Sequence, residues 1–121
     1  MECPFCNPGR VIIAENDHAV AVHDGFPVSA GHSLIIPKKH VADIFDLNGD
    51  EYSACFDLIR QAKAILQEEH STEAFNIGVN CGEVAGQTIM HAHIHVIPRY
   101  PGDVDDPRGG VRHLIPGKGY Y

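Results

Sequence analysis

No stretch of the 121 residues approaches the roughly 20 consecutive apolar positions that span a bilayer, which excludes a membrane-spanning helix. Basic residues are scarce. Nine Lys and Arg stand against sixteen Asp and Glu, a formal charge of -7, and without basic surface the chain is not a general nucleic-acid binder. Met1 to Arg10 lacks the basic region and long apolar run of a secretory signal, so the protein is expected to be cytoplasmic. Internal repeats, low-complexity tracts and linkers are also missing, and the length suits one domain with one site. Cysteine is limited to four residues, which in a reducing compartment read as ligands, catalysts or small core residues before they read as disulfides.

Histidine, by contrast, is abundant, with nine residues. Gly25 to Ala42 and Gly86 to Tyr100 contain no Asp or Glu, and these two stretches hold five of the nine His together with Lys38, Lys39 and Arg99. An electropositive site within an acidic protein is therefore expected, suited to an anionic ligand.

The chain reads as a single domain over 1–121, with a cysteine knuckle in 1–9, a core over 10–99 and an extended tail over 100–121. Val11 to Ala14 and Ala19 to His23 are short β-branched runs separated by the turn-forming Glu15, Asn16 and Asp17. His32 to Pro37 is a third strand, closed by a proline that cannot donate to a ladder. From Asp50 the period changes. Tyr52, Cys55, Phe56, Ile59, Ala62, Ile65 and Leu66 recur at helical spacing, which predicts one amphipathic helix from about Asn48 to His70, with Asn48 as its cap. Ala74 to Asn80 and Met90 to Pro98 are the fourth and fifth strands, joined by a glycine-containing loop. Eight Pro and Gly after Pro98 argue against any further regular element.

On a strand, His91, His93 and His95 would stand in one row roughly 6 to 7 Å apart, opposite the core-facing Ala92, Ile94 and Val96. Two other readings of the row compete: histidines lining a surface groove, and a metal site built on the row itself. The segment Gly86-Gln87-Thr88-Ile89-Met90-His91-Ala92-His93-Ile94-His95-Val96-Ile97-Pro98-Arg99 resembles the signature of the histidine triad family. Upstream, Gly31-His32-Ser33-Leu34-Ile35-Ile36-Pro37-Lys38-Lys39-His40 resembles that family's other strand motif.

The resemblance implies an α+β fold, a five-stranded antiparallel sheet with one long helix, paired into a homodimer. It also implies a nucleotide substrate, a nucleoside phosphate conjugate cleaved at its α-phosphate. His93 would be the nucleophile, forming a nucleotidyl-histidine that water cleaves. His95 would face the leaving group, the backbone of His91 would hold the His93 tautomer, and His32 would support the nucleophile from the adjacent strand. Asp24 and Asn80 match positions that contact ribose or phosphate, Gln87 and Thr88 with the backbone around Gly86 would cradle the α-phosphate, and Phe5 would pack against a purine or within the core. Because the third triad residue is His95, where the transferase branch has Gln, hydrolysis is favoured over transfer.

Cys3-Pro4-Phe5-Cys6 is half of a zinc knuckle, or else an inert pair. By resemblance to relatives that keep the cysteines, His40 and His91 complete a structural zinc site, in which the ion is expected to organise the fold and not the attack. Cys55 reads as core, and Cys81 has no assigned role. Arg108 and Arg112 in the tail either reach distal phosphates or pair with the nearby Asp, the second being simpler. Two readings from other classes stand beside the hydrolase: a nucleotide-binding or scaffolding protein with vestigial catalysis, and a metalloenzyme using the histidine row.

Overall fold

The computed structural model describes residues 3–7 and 9–121, so that Met1, Glu2 and Pro8 of the knuckle segment lie outside the described residues. Five strands form one sheet: β1 (Ile12–Glu15), β2 (Ala19–His23), β3 (Ser33–Pro37), β4 (Ala74–Gly78) and β5 (Ile94–Arg99). They lie in the order β1-β2-β3-β5-β4 with every neighbouring pair antiparallel, which leaves β1 and β4 at the edges. One helix, α1 (Gly49–His70), crosses the sheet. The α+β class and the five-plus-one arrangement are those expected.

Helix α1 starts where its capping chemistry starts. Asn48 Oδ1 accepts from the Glu51 amide at 2.9 Å and Glu51 Oε1 accepts from the Asn48 amide at 2.7 Å, a reciprocal pair that satisfies two otherwise orphaned donors. It ends at Ser71, whose φ of 54° is left-handed and whose amide returns to the Gln67 carbonyl. Cys55, Leu58, Ala62 and Leu66 form its buried stripe, and they pack on Ala19, Ala21, Ile35, Ala92, Ile94 and Val96. Fully burying one such Leu contributes about 1.5–3 kcal/mol. Burial also pushes the Cys55 thiol up to about 11, as an inert core residue requires.

Strand alternation sends the intervening residues to the other face of the sheet. There Val20, Val22, Leu34 and Ile36 make a second cluster, covered by Phe5. His95 shares this second face, since its neighbours Ile94 and Val96 on β5 point to the helix.

Several boundaries differ from expectation. Strand β5 begins at Ile94 instead of Met90, because its ladder with β3 starts at the Ile35–Ile94 pair, while the Ala92 amide donates to the Val41 carbonyl at 2.7 Å. Strand β4 ends at Gly78 and β3 starts at Ser33. The tail holds one further regular element, a 3-10 turn over Gly110–Leu114, packed near β4. Among the described residues no helix is long and apolar enough to cross a membrane.

Candidate functional site

Of the three histidines only His95 lies within β5, yet the His93 and His95 rings are neighbours, their centres 5.2 Å apart. His95 stands on the strand, whereas His91 and His93 precede it on irregular backbone that turns their rings to different neighbours. The metal-on-a-row reading is thereby corrected: among the described residues the clusters that bring ligand atoms within 4.8 Å of one another are Cys3, Cys6, His40 and His91, and separately Asp24, His32 and His95.

His91 is fully buried. Its Nε2–H donates to the Pro37 carbonyl at 2.7 Å, which leaves the Nδ1 lone pair aimed at the knuckle. Nδ1 lies 3.4 Å from Cys3 Sγ, 3.6 Å from Cys6 Sγ and 3.2 Å from His40 Nδ1, and Cys6 Sγ is 3.0 Å from His40 Nδ1. With metal–nitrogen bonds of about 2.0 Å and metal–sulfur bonds of about 2.3 Å, a tetrahedral site has edges of about 3.3 Å between nitrogens and about 3.5 Å between nitrogen and sulfur. The four side chains therefore form a candidate metal site of two thiols and two imidazoles. The Pro37 carbonyl fixes the tautomer of one ligand as an outer partner does in metal centres. Burial lowers the His91 pKa, an effect that His40 and His93 reinforce and the Pro37 bond opposes.

His93 Nδ1–H donates to the His91 carbonyl at 2.9 Å, so the lone pair of its Nε2 is the one left for chemistry. This is the backbone role expected of His91. The second cluster fixes another tautomer. The Val28 amide donates to His32 Nδ1 at 3.1 Å, which assigns the proton to His32 Nε2, and that proton is directed to His95 Nδ1 at 3.0 Å. His95 must then carry its own proton on Nε2. Asp24 Oδ2 lies 3.4 Å from His32 Nε2 and 4.0 Å from His95 Nδ1, while Asp24 Oδ1 accepts from the Phe26 amide at 2.8 Å. With its proton on Nε2, His32 has no lone pair there for a cation, so Asp24, His32 and His95 are joined through a hydrogen bond between the two rings with the carboxylate facing both. Burial lowers the His32 pKa against the opposing pull of Asp24; for His95 burial again leads, with His93 and His32 adding to it and Asp24 opposing.

Other expected residues take different places. Support from His32 goes to His95, and the His93 ring is instead met by Phe5, edge-on with ring centres 4.8 Å apart. Phe5 is 5 % exposed and packs with Val20, Val22, Leu34 and Ile36, which accords with the core alternative of the two expected for it. Gln87 is likewise occupied, its Nε2 donating to the Ala42 and Ile89 carbonyls at 2.6 and 3.1 Å and its Oε1 accepting from the Gly82 amide at 2.9 Å. The amides of Ala85, Gly86 and Gln87 close the same loop on Gly82 and Glu83, so this cradle for phosphate is also corrected, and Thr88 is the exposed member of the segment. Asn80 follows Val79 beyond Gly78, the residue paired with His95, and is half-buried.

The expected electropositive character is absent as well. Lys38 pairs with Glu15 at 2.9 Å, Lys39 with Glu51 at 3.7 Å and Arg99 with Asp103 at 2.7 Å. Glu15 and Glu51, remote in sequence, and Asp103, just past the second stretch, pair with the cations of stretches that are themselves acid-free. In the tail Arg108 pairs with Asp106 at 3.7 Å and stacks on Tyr120, and Arg112 stacks on Tyr121, which accords with the simpler reading for Arg108. The contributions of Val28 and Pro37 are backbone groups, for which no side-chain signal existed.

The HIT domain family model matches residues 7–102. An uncharacterized HIT-like protein of Mycoplasma genitalium is 38% identical over 103 residues, covering 81% of this chain and 73% of its own. The asymmetrical bis(5'-nucleosyl)-tetraphosphatase of Schizosaccharomyces pombe is 36% identical over 80 residues, 66% of this chain and 44% of that protein. Among solved structures, a HIT family member from Bacillus subtilis superposes with a TM-score of 0.78 at 29% identity, covering 85% of this chain and 77% of its own. A zinc-bound histidine triad family protein from Mycobacterium smegmatis gives 0.72 at 30% identity, covering 84% and 75%.

Proposed function

The chain belongs to the HIT domain family, and from that premise we propose that it is a hydrolase that cleaves a nucleoside phosphate conjugate at the α-phosphate through a nucleotidyl-histidine. The conjugate is a dinucleoside polyphosphate or a nucleoside phosphoramidate. The observation that carries this reading is the His93 tautomer: with Nδ1–H held by the His91 carbonyl, Nε2 keeps its lone pair, in a ring beside a second imidazole whose proton is on Nε2.

In the first step Nε2 of His93 attacks the α-phosphorus, the nitrogen–phosphorus bond forms and the bond to the leaving group breaks. His95 Nε2–H passes a proton to the leaving atom and solvent water replaces it, so that the imidazole stays neutral, while His32 Nε2–H, kept in place by the Val28 amide and faced by Asp24, holds the His95 ring. Water then attacks phosphorus, releases the nucleoside monophosphate and restores His93. Asp24 and Asn80 are assigned to the sugar and phosphate, and the Thr88 hydroxyl to a phosphate oxygen. Neutral donors of this kind favour release of a charged product.

Zinc is the metal that two thiolates and two imidazoles select, and Cys3, Cys6, His40 and His91 would hold it. With four protein ligands it leaves no open position and contributes structure. The zinc-bound relative of the same fold supports the choice. We further propose a homodimer, since β1 and β4 are edge strands and pairing of one edge protects it. Sedimentation as a monomer at micromolar concentration contradicts that.

A substrate panel tests the reading: diadenosine polyphosphates against adenosine phosphoramidates, with release of AMP as the signal. Turnover of either class supports it. A protein that binds AMP and never releases it from any of these substrates is a binder, and the proposal fails.

A further inference from the structure

The His93 ring meets the His91 carbonyl, Phe5 and, edge-on with ring centres 5.2 Å apart, His95; the first two of these contacts lead to the candidate metal site. On Nδ1 its partner is the carbonyl of His91, a member of the candidate metal site. Against its ring stands Phe5, edge-on at 4.8 Å with the planes at 70°, and Phe5 lies between Cys3 and Cys6 in a turn closed by the Cys6 amide on the Cys3 carbonyl at 3.3 Å. The same ring touches His91 at 6.3 Å, so Phe5 fills the corner between the two histidines. Its burial with Val20, Val22, Leu34 and Ile36 orients it.

The turn that carries Phe5 belongs to no strand ladder. What ties it down besides Phe5 is the approach of its two thiols to His40 and His91, ligand atoms from two distant parts of the chain. An ion joining the four fixes the turn and the His91 backbone together, and His93 rests on both.

We propose that Phe5 is a positioning residue for His93 and that metal occupancy of the knuckle, acting through Phe5 and the His91 carbonyl, holds the His93 imidazole in one orientation with its proton on Nδ1. This rests on the reading of His93 as nucleophile and goes beyond a metal that serves only the fold: the ion acts on the attack through two contacts on one ring. Near-attack geometry is steep in distance, so a ring released from one of its contacts loses rate while substrate still binds.

The test combines imidazole nitrogen-15 spectra of His93, which report tautomer directly, with steady-state kinetics. Three samples are compared: the zinc-loaded protein, the protein after chelation, and zinc-loaded Phe5→Leu, which keeps both thiols and a buried apolar side chain. The proposal expects one Nδ1–H tautomer in the loaded protein and a tautomer mixture in the other two. In Phe5→Leu, zinc content stays at that of the wild type, kcat falls at least about tenfold and KM moves less than about twofold. Phe5→Tyr, which restores a ring, restores both signals. If chelation unfolds the chain, Phe5→Leu decides alone. Unchanged His93 resonances and unchanged kcat in Phe5→Leu overturn the proposal. A nucleotide adduct that forms on His93 while its resonances ignore Phe5→Leu removes the positioning role and leaves the nucleophile; altered resonances with no adduct on His93 do the reverse.

Discussion

His32 Nε2 and His95 Nδ1 are 3.0 Å apart, and the proton between them belongs to His32 because the Val28 amide occupies that ring's other nitrogen. One backbone N–H, in the loop between β2 and β3, thus decides which nitrogen of His95 can donate. Asp24 stands 3.4 Å from the shared proton's donor. Two histidines remote in sequence become one hydrogen-bonded pair beside the His93 ring, whose centre is 5.2 Å from that of His95.

This pair predicts leaving-group dependence. His95→Ala should cost about 10²–10⁴ in kcat with a poor leaving group, the range for a general acid, and progressively less as the leaving group becomes a stable anion. His32→Asn should show the same trend with smaller losses. A series of substrates graded in leaving-group acidity checks it, and equal losses across the series refute the acid role.

Acid stability follows from the same pair. Burial keeps both His32 and His95 neutral in the folded protein, with His93 facing His95 and Asp24 facing both; their folded pKa values lie below the ordinary 6.5. The unfolded chain therefore binds more protons once pH drops beneath about 6.5, so stability is full above that value and falls as pH decreases toward the folded values. Thermal midpoints should be flat between about pH 7 and 8 and decline from about 6.5 to 5, and His32→Asn should flatten part of the decline. An identical slope in the variant places the titration elsewhere.

The candidate metal site predicts about one zinc per chain, lost when Cys3 and Cys6 are both replaced by Ser. Chelation should lower the thermal midpoint and zinc should restore it, since an ion that binds only the folded chain stabilises by mass action. Protein purified without zinc, with free thiols and full stability, contradicts the site.

Gly31 is a structural dependency of the loop before His32. It has a φ of 89°, and a Cβ there would meet His70 Cδ2 at 2.8 Å and Pro98 Cγ at 3.2 Å. Gly31→Ala should destabilise the protein by about 1–3 kcal/mol, from left-handed strain plus displacement of the helix-terminal His70. Urea unfolding measures this, and a change below about 0.5 kcal/mol would show that the loop yields at little cost.

Regular elements were legible in the sequence because their causes are local. The Asn48 cap, the Cys55, Ala62 and Leu66 positions of the helix and the β-branched run Ala19–His23 each need only a few neighbouring residues, and all three appear in the fold, while Leu58 joins the buried stripe and Phe56, expected on it, is exposed. The start of β5 differs from the expected Met90 because periodicity cannot say where a ladder ends: His91 and His93 lie before the first β3–β5 pair, although the His93 ring still stands beside that of His95. The electropositive site was misread for a related reason, since Glu15 and Glu51 reach Lys38 and Lys39 only in three dimensions. Gln87, polar and next to the triad, resembled a phosphate donor, yet its amide is consumed by the Ala42 and Ile89 carbonyls.

The account stands or falls on His93. Wild-type protein mixed with substrate labelled at the α-phosphate, quenched within the first turnover and digested, should yield label on the peptide carrying His93, and His93→Ala should yield none while losing at least about three orders of magnitude in kcat, because the covalent route closes. Label on His91 or His95, or His93→Ala with activity near that of the wild type, would contradict it.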